Sequence, residues 1–147
     1  MNQRLKKLFR SFEARGIDAL LVSSWPNVTY LSGFKGTESW ILVSPKALYF
    51  ITDSRYSEEA EKEAKGFEVI LRDSQPVLQL IADLANKIRA RRLGFESSVV
   101  THAFFSGLER RLGPDRLKAT DGLVEELRLI KDAGEIASLR KSADIAV

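Results

Sequence analysis

Short apolar runs alternate with amphipathic stretches along the whole chain, and this exchange of two periodicities is what most restricts its fold. Residues 3–15 carry Leu5, Leu8, Phe9 and Phe12 at helical spacing and stop at Gly16. "DALLV" (18–22) is apolar on successive residues, as in a strand buried on both faces. "WPNVTYLSGF" (25–34) predicts one short helix, with Pro26 in its first turn and Gly33 as its terminator. "SWILVS" (39–44) and "ALYFIT" (47–52) are rich in β-branched and aromatic residues and are separated only by Pro45-Lys46, which predicts a tight strand pair. A charged helix over 54–65 ends at Gly66, and a strand follows over 67–71. A long helix over 76–91 has Val77, Leu80, Ile81, Leu84 and Ile88 on one stripe. "RLGFE" (92–96) and "LKAT" (117–120) read as strands around a helix at 101–112 stopped by Gly113-Pro114, and 122–130 is helical again.

Strands alternating with helices predict an α/β fold, a sheet covered on both faces by helices. The tight pair at 39–52 makes that sheet mixed. No Gly/Ser linker interrupts the chain before residue 130, so residues 1–130 form one domain. A new helix begins at Asp132, which with Glu135 has capping-box spacing, and Ile136, Leu139, Ala143 and Ala146 then recur as an apolar stripe. Such a helix is marginal in water unless its stripe is covered. Either it docks on its own domain or it opens a second one.

Composition removes several classes of function. Cysteine is absent, so there is no disulfide, thiolate nucleophile or thiolate metal site. No apolar run approaches membrane-spanning length and the N-terminus lacks a secretory block, which predicts an unexported, cytoplasmic protein without a membrane partner. Net charge is +3, and the densest basic cluster, "KIRARR" (87–92), falls at a helix end where cations complement the macrodipole. No nucleic-acid partner is expected from it.

Chemistry is sparse. The one histidine, His102, sits among phenylalanines at a helix start and reads as structural. Phosphate-loop and nucleophile-elbow motifs are missing. Asp18, Asp53 and Glu96 lie at strand ends, where three acids could hold Mg²⁺ for phosphoryl chemistry, but nothing clusters them in sequence. Two stretches look more like a working surface. One is the glycine-containing loop within "NVTYLSGFKGTESW" (27–40). The other is "TDSRY" (52–56), leaving a strand at its C-terminal end, where α/β sheets bind ligands. Arg55 there has the fork to grip a carboxylate or to pair with Asp53 or Glu58.

Together these stretches resemble the N-terminal domain of the creatinase/prolidase family of metallopeptidases. The residues that carry the resemblance are "RGIDALLVSSWPNVTYLSGFKG" (15–36), "ALYFITDSRYSEEAEKEAKGFEVI" (47–70), "RLGFE" (92–96) and "VEELRLIKDAGEIASLRKSADIAV" (124–147). The pattern Asn27, Tyr30, Gly33 with "TDSRY" is similar to Xaa-Pro aminopeptidases and dipeptidases rather than creatinase. The resemblance implies a three-layer α/β/α domain with a mixed five- to six-stranded sheet of ribonuclease-H-like topology. It also implies a homodimeric parent enzyme that hydrolyses the bond before proline in peptides. Two divalent ions (Mn, Co or Zn), held by Asp, Asp, His, Glu and Glu of a catalytic domain, activate the attacking water there. None of those ligands is expected in this chain, so it would hold no cofactor and carry no catalytic residue. Residues 131–147 would be the linker and first helix of that catalytic domain, continuing past Val147. By the same resemblance the loop Phe34–Trp40, with Lys35 and Glu38, reaches a partner subunit's active site. Glu38 would meet a substrate amine, Phe34 or Trp40 would stack on the proline ring, and Arg55, next to Tyr56, would bind a substrate carboxylate or anchor the loop. "KGTESW" departs from the small residues common in related aminopeptidases, which leaves aminopeptidase or dipeptidase activity open. A ribonuclease-H-like nucleic-acid enzyme and a stand-alone interaction module are the other readings.

Overall fold

In the computed structural model, which describes residues 1–146, six strands form one sheet in the order β4-β3-β2-β1-β5-β6. They are β1 (Ala19–Val22), β2 (Trp40–Val43), β3 (Leu48–Thr52), β4 (Glu68–Leu71), β5 (Leu93–Glu96) and β6 (Leu117–Thr120). β2 runs antiparallel to both neighbours, and every other pairing is parallel. One edge of the sheet therefore collects the C-terminal ends of five strands and the start of β2. This is the mixed α/β/α architecture that the sequence predicts, with the strand pair at 39–52 as a hairpin in the register Trp40 opposite Ile51 and Val43 opposite Leu48.

Both faces of the sheet are buried, which is why β1 reads as an unbroken apolar run. Leu20, Val22, Ile41, Val43 and Phe50 point to one face, against α1 (Gln3–Arg10), α2 (Phe12–Arg15), α3 (Trp25–Ser32), α4 (Ser57–Glu63) and α7 (Leu123–Leu129). Ala19, Leu21, Leu42, Tyr49 and Ile51 point to the other, against α5 (Val77–Lys87) and α6 (His102–Leu112). Gly94 in β5 has no room for a side chain: a Cβ there would lie 2.9 Å from Ile17 and 3.1 Å from Leu20.

Three helix boundaries differ from the periodic reading. The helix expected over 3–15 breaks at Ser11, whose hydroxyl donates to the Leu8 carbonyl at 2.7 Å and competes with the helical ladder. The helix expected from 54 starts with a tight turn over Ser54–Tyr56, because the Asp53 carboxylate accepts the Arg55 N–H at 3.0 Å. The helix expected to reach 91 ends at Lys87. Arg89 takes up a left-handed conformation (φ 56°), and the Ala90 N–H closes back on the Ala85 carbonyl at 2.9 Å.

The last helix, α8 (Ala133–Ala146), opens with the anticipated capping box: the Glu135 N–H donates to Asp132 at 2.8 Å and the Asp132 N–H to Glu135 at 2.9 Å. None of its residues is buried. The expected stripe of Ile136, Leu139, Ala143 and Ala146 does not dock on this domain; Leu139 is 57% exposed. The end of that predicted helix, Val147, lies outside the described residues.

Candidate functional site

At the C-terminal edge of the sheet, the ends of β3 and β4 deliver Asp53, Arg55 and Arg72 to one place, where the loop before β2 adds Glu38. Asp53 caps the turn after β3, and its carboxylate is nearly buried. Arg55, one turn on, donates through Nε and Nη2 to the two Asp53 oxygens at 3.0 and 2.8 Å. Arg55 Nη2 also donates to Glu38 at 2.9 Å. Arg72 follows β4, where its N–H extends the ladder to the Thr52 carbonyl. Its guanidinium reaches Asp53 at 3.4 Å and lies 5.4 Å from the Trp40 ring centroid. The side-chain hydrogen bond from Arg55 brings the Asp53 carboxyl down from 3.8 to about 2, against the opposing effect of desolvation. The same bond raises the Arg55 guanidinium further above its ordinary range.

This cluster braces the segment between α3 and β2. Gly33 ends α3 in the left-handed region (φ 83°), and the Lys35 N–H donates to Glu63 at 3.0 Å. Glu38 also has a positive φ (54°), unusual for a residue with a side chain, and its carboxylate is the one that Arg55 holds. Gly36 lies against the Phe34 ring, where any side chain would overlap it.

The sequence-predicted site residues therefore separate into three groups. Lys35 and Glu38 are exposed on the loop. Arg55 and Tyr56 follow β3 beside it, Arg55 exposed and bound to two carboxylates and Tyr56 edge-on to Phe34 at 6.1 Å. Phe34 departs from the expectation of a loop ring free to stack on proline. Phe34 is fully buried and packs edge-on against Phe50 at 4.9 Å, because the chain turns inward directly after Gly33. Trp40 is the first residue of β2, half-buried with Arg72 over its ring, and so belongs to the sheet. Arg72 is the member that sequence reading missed; its only signal was a cation just past a strand end.

Further along the same edge lies a buried polar node. Asn27 in α3 donates its amide to Glu96 at 2.6 Å and to Glu125 at 2.7 Å, and accepts from Arg128 at 3.1 Å. Glu96 also accepts the N–H groups of Ser23 and Ser24, both at 2.7 Å. Through two side chains, Asn27 and Glu96, the node ties α3, β5, α7 and the end of β1. Beside it, Arg4 links the body to α8: it donates to the Tyr30 carbonyl at 2.8 Å and to Asp132 at 2.6 Å, and stacks 4.1 Å from the Tyr30 ring centroid. Arg4 lowers the Asp132 carboxyl, and burial raises the Tyr30 hydroxyl.

Asp18, Asp53 and Glu96 do not converge. Asp18 lies at the opposite sheet edge, accepting the N–H groups of Arg91 and Arg92, while Glu96 is spent within the Asn27 node. Among the described residues no three His, Cys, Asp or Glu side chains come close enough to hold a metal ion, and His102 is exposed at the start of α6. The described donor groups are too dispersed to form a metal pair's ligand set.

Strand order, two packed faces and a charged edge loop define an α/β domain of ribonuclease-H-like topology. Residues 4–130 match the family model described as the creatinase/prolidase N-terminal domain, and the chain belongs to that family. It is 36% identical over 143 residues to an uncharacterized peptidase, YqhT, of Bacillus subtilis, covering 97% of this chain and 40% of that protein. Among solved structures it resembles the Xaa-Pro dipeptidase from Bacillus anthracis, with a TM-score of 0.92, 33% identity, and coverage of 98% of this chain and 40% of that one. It also resembles the N-terminal domain of the cytoplasmic peptidase PepQ from Mycobacterium tuberculosis, with a TM-score of 0.78, 35% identity, and coverage of 87% and 100%. The chain thus spans about 40% of the length of the full peptidases that it matches. No described helix is long and apolar enough to cross a membrane.

Proposed function

We propose that this chain is the non-catalytic N-terminal domain of a cytoplasmic, metal-dependent Xaa-Pro peptidase, taking part in dimerisation and shaping the substrate pocket. The observation that carries this reading is coverage: the chain matches full-length Xaa-Pro dipeptidases over nearly its whole length, yet accounts for only 40% of theirs. In this reading residues 1–130 are the domain and 131–147 lead into the catalytic part. Two divalent ions, Mn, Co or Zn, would be held by that part. The unburied face of α8 supports the linkage, because Ile136, Leu139 and Ile145 need a cover that the body does not give.

The pocket-shaping element is the loop from Lys35 to Ser39. Its exposed groups, Lys35 and Glu38, would stand at the mouth of a partner subunit's site, where they narrow the entrance to short proline-containing peptides. Arg55 reads as loop anchor rather than substrate-carboxylate ligand, since its Nε and Nη2 already bind Asp53 and Glu38. Tyr56 and Phe34 form the floor under that loop.

A domain exchange tests the proposal. This chain would replace the corresponding part of the Bacillus anthracis Xaa-Pro dipeptidase, and hydrolysis of Xaa-Pro dipeptides would be measured with added Mn²⁺. The expected result is a dimeric, active chimera beside an inactive isolated chain. Hydrolysis by the isolated chain, or a folded chimera without activity, overturns it.

A further inference from the structure

A second concavity lies at the sheet edge opposite the Arg55 cluster. The α1–α2 break, the hairpin tip at Ser44–Lys46 and the last turn of α5 enclose a cavity of about 420 Å³. Its walls are apolar, formed chiefly by Phe9, Phe12, Ile17, Ile88 and Ala90. Small-molecule sites have this size and this combination of apolar walls with a few polar groups at the rim.

The rim carries two cations, Lys46 and Arg89, and two acids, Glu13 and Asp18. They are not equivalent. Asp18 spends both carboxylate oxygens on the Arg91 and Arg92 N–H groups, at 2.9 and 3.1 Å. Glu13 is exposed. Among the described residues neither Lys46 nor Arg89 enters an ion pair. Arg89 also occupies a costly position. It is the left-handed residue (φ 56°) that closes α5, with its own N–H on the Asn86 carbonyl and that of Ala90 on the Ala85 carbonyl, both at 2.9 Å. Glycine or asparagine fills such a position at lower steric cost. A residue held at this cost thus lines the apolar cavity, and its side chain enters no ion pair among the described residues.

We propose that this cavity binds a small monocarboxylate with an apolar body. Arg89 and Lys46 hold the carboxylate, and the hydrocarbon lies on Phe9 and Phe12. Aliphatic and aromatic acids share this chemistry. The site stands independently of the peptidase reading, because it uses neither the Arg55 loop nor α8.

The test titrates the 147-residue chain with octanoate, phenylpropanoate, octanol and octylammonium, followed by amide NMR shifts and calorimetry. One of the two acids is expected to bind about tenfold more tightly than octanol, the worth of one charge-assisted contact, and to shift the amides of Ile17 and Ile88–Ala90. Whichever acid binds more tightly identifies the class. Octylammonium is expected to bind more weakly than octanol. Arg89→Gly relieves the backbone and should melt at a higher temperature, yet lose about tenfold in affinity for the acid. Equal binding of acid and alcohol, unchanged affinity in Arg89→Gly, or shifts confined to other surfaces overturns the proposal.

Discussion

Arg55 holds Asp53 by two parallel contacts, Nε to Oδ1 at 3.0 Å and Nη2 to Oδ2 at 2.8 Å, and with the same Nη2 reaches Glu38 at 2.9 Å. A planar guanidinium can span both partners, and an ammonium cannot. The loop before β2 is therefore tied to the end of β3 by one side chain. Arg55→Lys should loosen it. Native-state tryptic cleavage after Lys35 is expected to rise about tenfold, the worth of one charge-assisted contact, with little change in melting temperature. An unchanged cleavage rate would mean that the tie lies elsewhere.

The same pair gives a pH dependence. The folded Asp53 carboxyl titrates at about 2 instead of 3.8, chiefly because Arg55 bonds its charged form. A folded value below the unfolded one adds stability at pH above about 4, which is lost as pH falls through about 2. Carboxyl-carbon NMR should find the Asp53 midpoint near the lower figure, and Arg55→Gln should move it toward the ordinary value.

Asn27 serves two carboxylates and one guanidinium from a fully buried position. Asn27→Ala strands those partners, at a cost of about 1–3 kcal/mol for each polar group left buried and unpaired. Asn27→Asp should be worse, because it sets a third carboxylate against Glu96 and Glu125. Urea unfolding measures both, and the reverse order would contradict the role given to the Asn27 amide.

Phe34 belongs to the core, so Phe34→Ala should destabilise the chain by about 3–5 kcal/mol. A loss of that size in urea unfolding distinguishes a packed ring from a free loop aromatic, whose removal would cost almost nothing.

Removing residues 131–147 should leave the rest nearly as stable. The main side-chain tie that they make is the partly exposed Arg4–Asp132 pair, and such pairs contribute about 0–1 kcal/mol. A marked fall in urea midpoint would show that α8 has a structural role in this domain.

β1 was legible because burial on both faces leaves a short unbroken apolar run between turn signals, Ala19–Val22. The hairpin and the capping box at Asp132 are local patterns, and local patterns survive in sequence. What was lost is non-local or strained. Asn27 and Glu125 are 98 residues apart, and each looks like an ordinary polar residue until α7 crosses α3. Phe34 was misplaced because it directly follows a helix-ending glycine, where a loop aromatic and a core aromatic look alike. Nothing in "KIRARR" marks Arg89 as a helix terminator, since the usual glycine is absent.

The reversed direction of β2 has a consequence for how such domains diversify. Because β2 starts where its neighbours finish, the segment leading into it is fastened at Gly33 and at Trp40, with only Lys35 to Ser39 spanning the gap. New side chains at the exposed positions of that short bridge, Lys35, Thr37 and Glu38, leave strand register and both hydrophobic layers untouched, whereas Gly36 and Ser39 are held by the core. The exposed chemistry of this sheet edge can thus change without refolding the scaffold.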